Sequence, residues 1–222
     1  GAIFFSNTNS GQSVLYKVCG YDCCTSGGYS YQFAEVFVKN TASYKNNVNY
    51  SSISRCGNSD SYHIFGLDRG KICCSSVNSS LNKCYRYSGI SCWPLTDSNS
   101  ITCSLTYSSF TDNNADNYNC IYLGNTGSKK EIKSCNIIRN TQGSLGSSGT
   151  IWTNGNLNIE NSCILENIAT HIFSQGSSSY TITISNCTVD SFSNNGYLTI
   201  RNTVPKSFIL ALNHMSTRNC HS

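Results

Sequence analysis

The chain has 222 residues, of which 38% are hydrophobic and only 12% are charged, and its formal net charge is +4. The charged share is about half of what is usual in globular proteins. Most of the polarity comes from Ser, Asn, Thr, Tyr and Gly, which favour strands and turns over helices. An aromatic share of 11% argues against disorder. We therefore expect a folded all-β chain with almost no helix.

Two short motifs alternate along the chain. The first is an apolar strand, whose central residues recur at steps of 21 to 31 residues. The second is an alternating strand followed by a turn rich in Cys or Asn. A recurrence of this kind is the signature of a solenoid. The central residues of the first motif are Ile3, Phe33, Ile64, Ile90, Ile121, Ile151, Ile172 and Leu198.

Apolar residues at every second position turn one face of each strand inward. A single coil cannot bury that face, but coils stacked about 4.7–4.9 Å apart can. We predict a right-handed parallel β-helix of about eight coils, forming a single domain over residues 1–222. A β-sandwich is the alternative fold, but signals for hairpins are rare. Because the pattern is already under way at Gly1, we expect the C-terminal part of a longer β-helix that ends near Cys220.

Fourteen cysteines are many for a chain of this size, and no paired zinc spacing occurs among them. The even count and the polar composition favour a secreted or surface protein with disulfides. The other interpretation is that many cysteines are small buried hydrophobes, and both can hold at once. The sequence leaves the pairing open. The disulfide candidates are Cys19, Cys23, Cys24, Cys56, Cys73, Cys74, Cys84, Cys92 and Cys120.

Three N-x-S/T sequons make Asn49, Asn78 and Asn186 candidate glycosylation sites, which agrees with an extracellular location. Three segments carry a resemblance: VCGYDCC at 18–24, YSSFTDN at 107–113 and IENSCILEN at 159–167. With the rest of the repeat, they resemble the polymorphic-membrane-protein-like β-helix surface proteins of trichomonad parasites. The resemblance implies a surface protein of adhesion or coat formation, with any membrane anchor outside this sequence.

Parallel β-helices also include pectin-lyase-like enzymes, which need clustered carboxylates. Only Asp112 and Asp116 lie close together in sequence. Their turn is interpreted as a solvated loop, with calcium contact as the alternative, and Asp68-Arg69 as a charged turn. We therefore predict no enzymatic activity, no cofactor and no metal site. A polysaccharide-active enzyme remains the alternative, and it requires two carboxylates within about 10 Å on one outer face.

Basic residues are scattered, and the one cluster, Lys129, Lys130 and Lys133, is interpreted as a solvated loop. Nucleic-acid binding is excluded because it needs a broad basic face. Aromatic residues such as Trp93 and Trp152 either line the core or form a flat outer face for sugars or proteins. We expect surface proteins or glycans, of a host or of the same cell, as partners, and homo-assembly through the coil ends as a further interaction.

Overall fold

The computed structural model describes residues 2–7, 9, 11–24, 31–143 and 149–205. These residues form strands and turns, with no helix among them. Every pair of neighbouring strands is parallel, and strands that are consecutive along the chain belong to different sheets. The chain is therefore a parallel β-helix, as predicted. Gly1 and the predicted end near Cys220 lie outside the described residues.

Three long parallel sheets and one short sheet form the walls of the β-helix. Sheet 1 contains β1 (Ile3–Ser6), β4 (Tyr31–Phe37), β7 (His63–Asp68), β11 (Tyr87–Trp93), β15 (Asn119–Leu123), β19 (Gly149–Thr153), β22 (His171–Gln175) and β25 (Asn194–Asn195). Sheet 2 contains β2 (Ser13–Tyr16), β5 (Lys45–Asn49), β8 (Lys71–Ser75), β12 (Ile101–Thr106), β16 (Lys129–Lys133), β20 (Leu157–Glu160), β23 (Thr181–Ser185) and β26 (Tyr197–Arg201). Sheet 3 contains β3 (Cys19–Tyr21), β6 (Ser52–Ser54), β9 (Asn78–Ser80), β13 (Ser109–Thr111), β17 (Asn136–Ile138), β21 (Cys163–Leu165), β24 (Thr188–Val189) and β27 (Val204–Pro205). The short sheet contains β10 (Lys83–Cys84), β14 (Asn114–Ala115) and β18 (Thr141–Gln142).

Each long sheet has eight strands, but the fully buried apolar core runs only from Tyr31 to Val189. The first strands leave large side chains exposed, and Phe4 is 69% exposed. Counted by their buried core, about six turns are complete. The predicted number of coils was therefore slightly too high.

The second sequence motif contains two strands, one in sheet 2 and one in sheet 3. Two residues separate them in each coil, and the first has a left-handed φ, which sets a sharp corner between the two sheets. Gly196–Ile200, assigned by sequence to the first motif, belongs instead to sheet 2, since Leu198 pairs with Ile182. The corner residues are Lys17, Tyr50, Ser76, Tyr107, Ser134, Asn161, Asn186 and Asn202.

Residues at equivalent positions stack directly above one another and form continuous rows along the core. Large aliphatic residues dominate, and cysteines take individual places in the rows. The inward row of sheet 2 is Leu15, Val48, Cys74, Leu105, Ile132, Ile159, Ile184 and Ile200.

A ladder of buried asparagines follows sheet 3. In each step the side-chain oxygen of one Asn accepts bonds from the backbone and side chain of the Asn in the coil before it. Each buried amide is thereby paired, as buried polar groups require. One coil earlier, Cys56 occupies the same position as Asn82, and its backbone N–H donates to the Asn82 Oδ1. The ladder consists of Asn82, Asn113, Asn140 and Asn167.

Replacing Asn113 by Ala tests the ladder, because Asn113 is fully buried and bonds to the coils on both sides. The change leaves the Asn82 backbone N–H without its acceptor, and an unpaired buried polar group costs roughly 1–3 kcal/mol. We expect Asn113→Ala to lower the free energy of unfolding by about 2–3 kcal/mol in chemical denaturation. The control is Asn158→Ala on the exposed side of β20, and an equal loss in the two variants would contradict the role of the ladder.

Candidate functional site: an aromatic ladder on sheet 1

Aromatic side chains from five successive strands of sheet 1 stack on its outer face. Neighbouring ring centroids lie 4.6, 4.7, 4.3 and 4.5 Å apart along the stack. These separations are close to the distance between hydrogen-bonded strands, so the parallel pairing itself sets the spacing of the rings. We call this stack the aromatic ladder; it consists of Tyr31, His63, Tyr87, Tyr122 and Trp152.

Irregular register and a glycine let the stacked rings pack closely against the sheet. Tyr31, His63 and Tyr87 pair in register, and the register shifts after each of the two tyrosines. The Tyr31 ring lies over Gly66, where an added Cβ would come within 2.2 Å of the ring. The Tyr31 hydroxyl accepts a 3.4 Å hydrogen bond from Ser91. Gly66 is therefore required by close approach of the ring to the backbone.

The aromatic ladder is buried at one end and open at the other. Tyr31, His63 and Tyr87 are at most 9% exposed, whereas Tyr122 and Trp152 are half-buried. Trp93 widens the open end, since its ring centroid lies 4.8 Å from that of Tyr122. We call Trp93, Tyr122 and Trp152 the open aromatic surface. Its rings are held rigidly by their neighbours and still present area to a ligand.

The Arg86 side chain lies beside the buried end of the aromatic ladder. The Arg86 guanidinium lies 4.2 Å from the Tyr62 ring centroid and 4.7 Å from that of Tyr118, a sandwich of cation–π contacts. Burial, and then the nearby Arg86 charge, lowers the pKa of His63 to about 3. His63 is therefore a neutral aromatic ring of the ladder at physiological pH.

Two carboxyl groups lie on the same outer face. Asp68 pairs in register with Phe37 and with Trp93, and Glu35 lies two residues before Phe37. A strand spacing of about 4.8 Å and a rise of about 3.3 Å per residue place the two Cα atoms roughly 8 Å apart. Burial, and then repulsion from Glu35, raises the pKa of Asp68 to about 7. Burial also raises the pKa of Glu35.

Sequence reasoning missed this carboxyl pair. The prediction considered aspartates only and interpreted Asp68-Arg69 as a charged turn. In the structure, Asp68 is the last residue of β7, and the turn begins at Arg69, which has a φ of 69°. The register of the first motif was the signal that could have found the pair. Glu35 lies in that motif one coil before Asp68.

Other residues that could carry chemistry lie apart or serve the fold. The two histidines of sheet 1 cannot form one site, because His63 and His171 are on β7 and β22, four strands apart. Asp112 forms a two-bond ion pair with Arg139 at 2.7 and 2.8 Å, which engages the carboxylate that the calcium alternative would use. The predicted solvated loop at 129–133 was wrong, because these residues form β16 and Lys130 is 1% exposed.

The three sequons differ in accessibility. Asn186 is exposed and Asn49 is half-buried. Asn78 is only 3% exposed, and its amide donates to Ser52. A glycan at Asn78 therefore does not fit the folded chain, and the candidate is corrected on that ground; Asn49 and Asn186 stay predictions.

Cys19 is disulfide-bonded. Most other disulfide candidates are free thiols in this structure, and their pairing stays a prediction. The adjacent residues Cys73 and Cys74 point to opposite faces of β8: Cys74 is 1% exposed and Cys73 is half-buried. The candidates with free thiols are Cys23, Cys56, Cys73, Cys74, Cys84, Cys92 and Cys120.

The raised pKa of Asp68 gives a signed pH dependence. Between about pH 4, the ordinary Asp value, and about pH 7, the folded chain holds a proton that the unfolded chain releases. Stability from this group therefore falls as pH rises through that window. We expect the difference in thermal midpoint, Asp68→Asn minus wild type, to increase from pH 5 to pH 8. Asp60→Asn, at an exposed turn residue, controls for loss of a negative charge, and a constant gap between Asp68→Asn and the wild type would refute the assignment.

Within the described part of the chain, no group of three or more His, Cys, Asp or Glu residues could hold a metal ion. The same residues include no helix with the length and apolar character needed to cross a membrane. Comparison of the chain with protein-family models, with curated proteins and with solved structures finds no match.

Proposed function

We propose that this chain is a non-enzymatic, extracellular β-helix that adheres to glycans through the open aromatic surface of sheet 1. The observation that carries the proposal is the continuous stacking of the aromatic ladder, which ends in half-buried Tyr122 and Trp152 at 4.5 Å with rings only 3° from parallel. Flat, rigid aromatic rings offer large contact area with little conformational entropy to lose. Because the rings stack face to face, they offer their edges along the ladder, and Trp152, the last ring, offers its outer face, to the C–H groups of a sugar.

The architecture supports an extended contact. Because the rings rise with the strands, a linear glycan can run along the coil axis over several levels without the backbone moving. The polar rim needed for orientation is present, since the Glu35 and Asp68 pair borders Trp93 through the register of β7 and β11. Partners of this type bind a mostly preformed surface.

Two features agree with an extracellular location. Cys19 is disulfide-bonded, and such bonds persist in oxidising compartments. Asn186, in an N-x-T sequon, is exposed at a corner between sheets 2 and 3. The resemblance to trichomonad surface proteins leads to the same proposal, with host-cell or own-surface glycans as partners and any membrane anchor outside this sequence.

Trp152→Ala and Tyr122→Ala test adhesion. We expect each to lower affinity for a bound glycan at least about tenfold, because truncating a central aromatic contact typically costs more than about 1 kcal/mol. The measurement is binding of the purified chain to an array of cell-surface glycans, followed by titration of the best ligand.

The matched control is Tyr197→Ala, a 63% exposed tyrosine on sheet 2, which should bind like the wild type. Binding of proteins but of no glycan, or equal losses in all three variants, would count against the proposal.

A second candidate function is cleavage of an acidic polysaccharide. The specific observation is the carboxyl pair, because Asp68, with a pKa of about 7, can donate a proton while Glu35 acts as the second carboxylate. Most glycosidases need two carboxyl groups, one as the general acid and one as the base or nucleophile. The open aromatic surface beside Trp93 would then position the chain to be cut.

If cleavage occurs, Asp68→Asn and Glu35→Gln should each abolish the release of new reducing ends from acidic polysaccharides, while binding through Trp152 persists. Asp112→Asn, whose carboxylate pairs with Arg139, is the control and should leave the release unchanged. A wild-type chain that binds a glycan but releases no ends supports adhesion and removes the second candidate.

A further inference from the structure

We propose that Cys23 and Cys56 are a redox-sensitive pair that becomes linked by a disulfide between two neighbouring coils. The two cysteines continue the asparagine ladder of sheet 3 by two places beyond Asn82. A bond between them is a covalent modification of the β-helix, and the proposal does not depend on glycan binding at sheet 1.

Backbone hydrogen bonds bring the two cysteines into register. The parallel pairing of β3 with β6 continues past both strands, since the Gly57 N–H donates to the Cys23 carbonyl at 2.8 Å. In a parallel ladder, a carbonyl accepts from the residue that follows its partner, so Cys23 is paired with Cys56. On the other side, the Lys83 N–H donates to the Cys56 carbonyl at 3.0 Å, which pairs Cys56 with Asn82 in the same way.

The spacing and the side-chain directions suit a disulfide. Paired residues on neighbouring strands lie about 4.8 Å apart, and disulfides join Cα atoms that are roughly 4.4–6.8 Å apart. Each thiol donates to the carbonyl two residues before it: Cys56 to Ser54 at 3.4 Å and Cys23 to Tyr21 at 3.7 Å. Because Tyr21 and Ser54 are themselves paired, the two sulfurs lie one above the other.

The core of sheet 2 shows the contrast. There Cys74 pairs with Val48 in the preceding coil and with Leu105 in the following one. A cysteine between aliphatic residues packs as a small hydrophobe, whereas two cysteines in register can form a bond. Register, and not burial, therefore identifies Cys23 and Cys56 as a pair for oxidation.

One of the two thiols is open to an oxidant. Cys23 is only half-buried and its neighbour Cys24 is exposed, so a small disulfide can reach the Cys23 sulfur in the folded chain. Cys56 is 0% exposed, and burial raises the pKa of its thiol to about 12. Cys23 therefore reacts first, and Cys56 reacts only with the sulfur beside it.

The linkage follows thiol–disulfide exchange with a low-molecular-weight disulfide as the oxidant. The Cys23 sulfur attacks that disulfide, which forms a mixed disulfide and expels one small thiolate. The Cys56 sulfur then attacks the Cys23 sulfur and expels the second small thiolate. The two protein thiol protons end on the two released thiols, so one small disulfide is reduced as one protein disulfide forms.

Peptide mapping of the full chain tests the pairing. The folded chain is incubated with glutathione disulfide and then alkylated under denaturing conditions without reductant. Digestion with trypsin and with a protease that cleaves before Asp places Cys23 and Cys24 in peptide 22–39 and Cys56 in peptide 56–59. We expect the two peptides to be recovered linked through Cys23, and to separate on reduction.

Recovery of Cys56 as an alkylated thiol, or of peptide 56–59 linked through Cys24, would overturn the proposal. Cys23→Ser should remove the linked species. Cys24→Ser is the matched control at the adjacent residue, whose exposed sulfur accepts from the Asn58 amide at 3.0 Å, and it should retain the link. Mapping of the wild-type chain decides the question even if a variant fails to fold.

Discussion

Parallel pairing of each coil with the next is the constraint on which the rest of this structure depends. Backbone hydrogen bonds fix the axial rise at the strand spacing, so each side chain lies directly above its counterpart. A polar or aromatic side chain in one coil therefore needs a compatible side chain at the same position of the next coil. Amides and aromatic rings meet their own kind for that reason, and the buried Asn113 side chain bonds to both Asn82 and Asn140.

The same constraint shapes the outer face. An isolated tyrosine on a sheet has freedom to move, but each ring of the aromatic ladder is held between rings one strand above and below. Rigidity is therefore greatest in the middle and decreases toward Trp152, the last ring of the stack. A surface that is rigid yet open at one end is well suited to capture a ligand, because little order has to be imposed on binding.

The fold class was predictable because the repeat is visible in the sequence and only a solenoid returns the same residue types to one row. The exact register was not, since local irregularities after Tyr31 and Tyr87 shift the pairing. The predicted row of central residues in the first motif is therefore out of register in places: the structure pairs Ile3 with Ala34 and not with Phe33. The carboxyl pair depends on that register, which is why reasoning from sequence spacing overlooked it.

The alternation of side chains along a strand predicts which residues face the core, whereas composition does not. Ile132 faces the core, so Lys130, two residues earlier on the same strand, has to face it too. Cys103, two residues before Leu105, follows the same rule and meets Lys130 in register. A lysine in an apolar core is costly unless its charge is compensated or lost. Here the Lys130 Nζ donates to the Asn125 carbonyl oxygen at 3.1 Å, and burial lowers the pKa of Lys130 to about 8. The strand that builds an ordinary apolar row at most levels thus places an amine in that row at one level, and the alternation along β16 is what turns it inward.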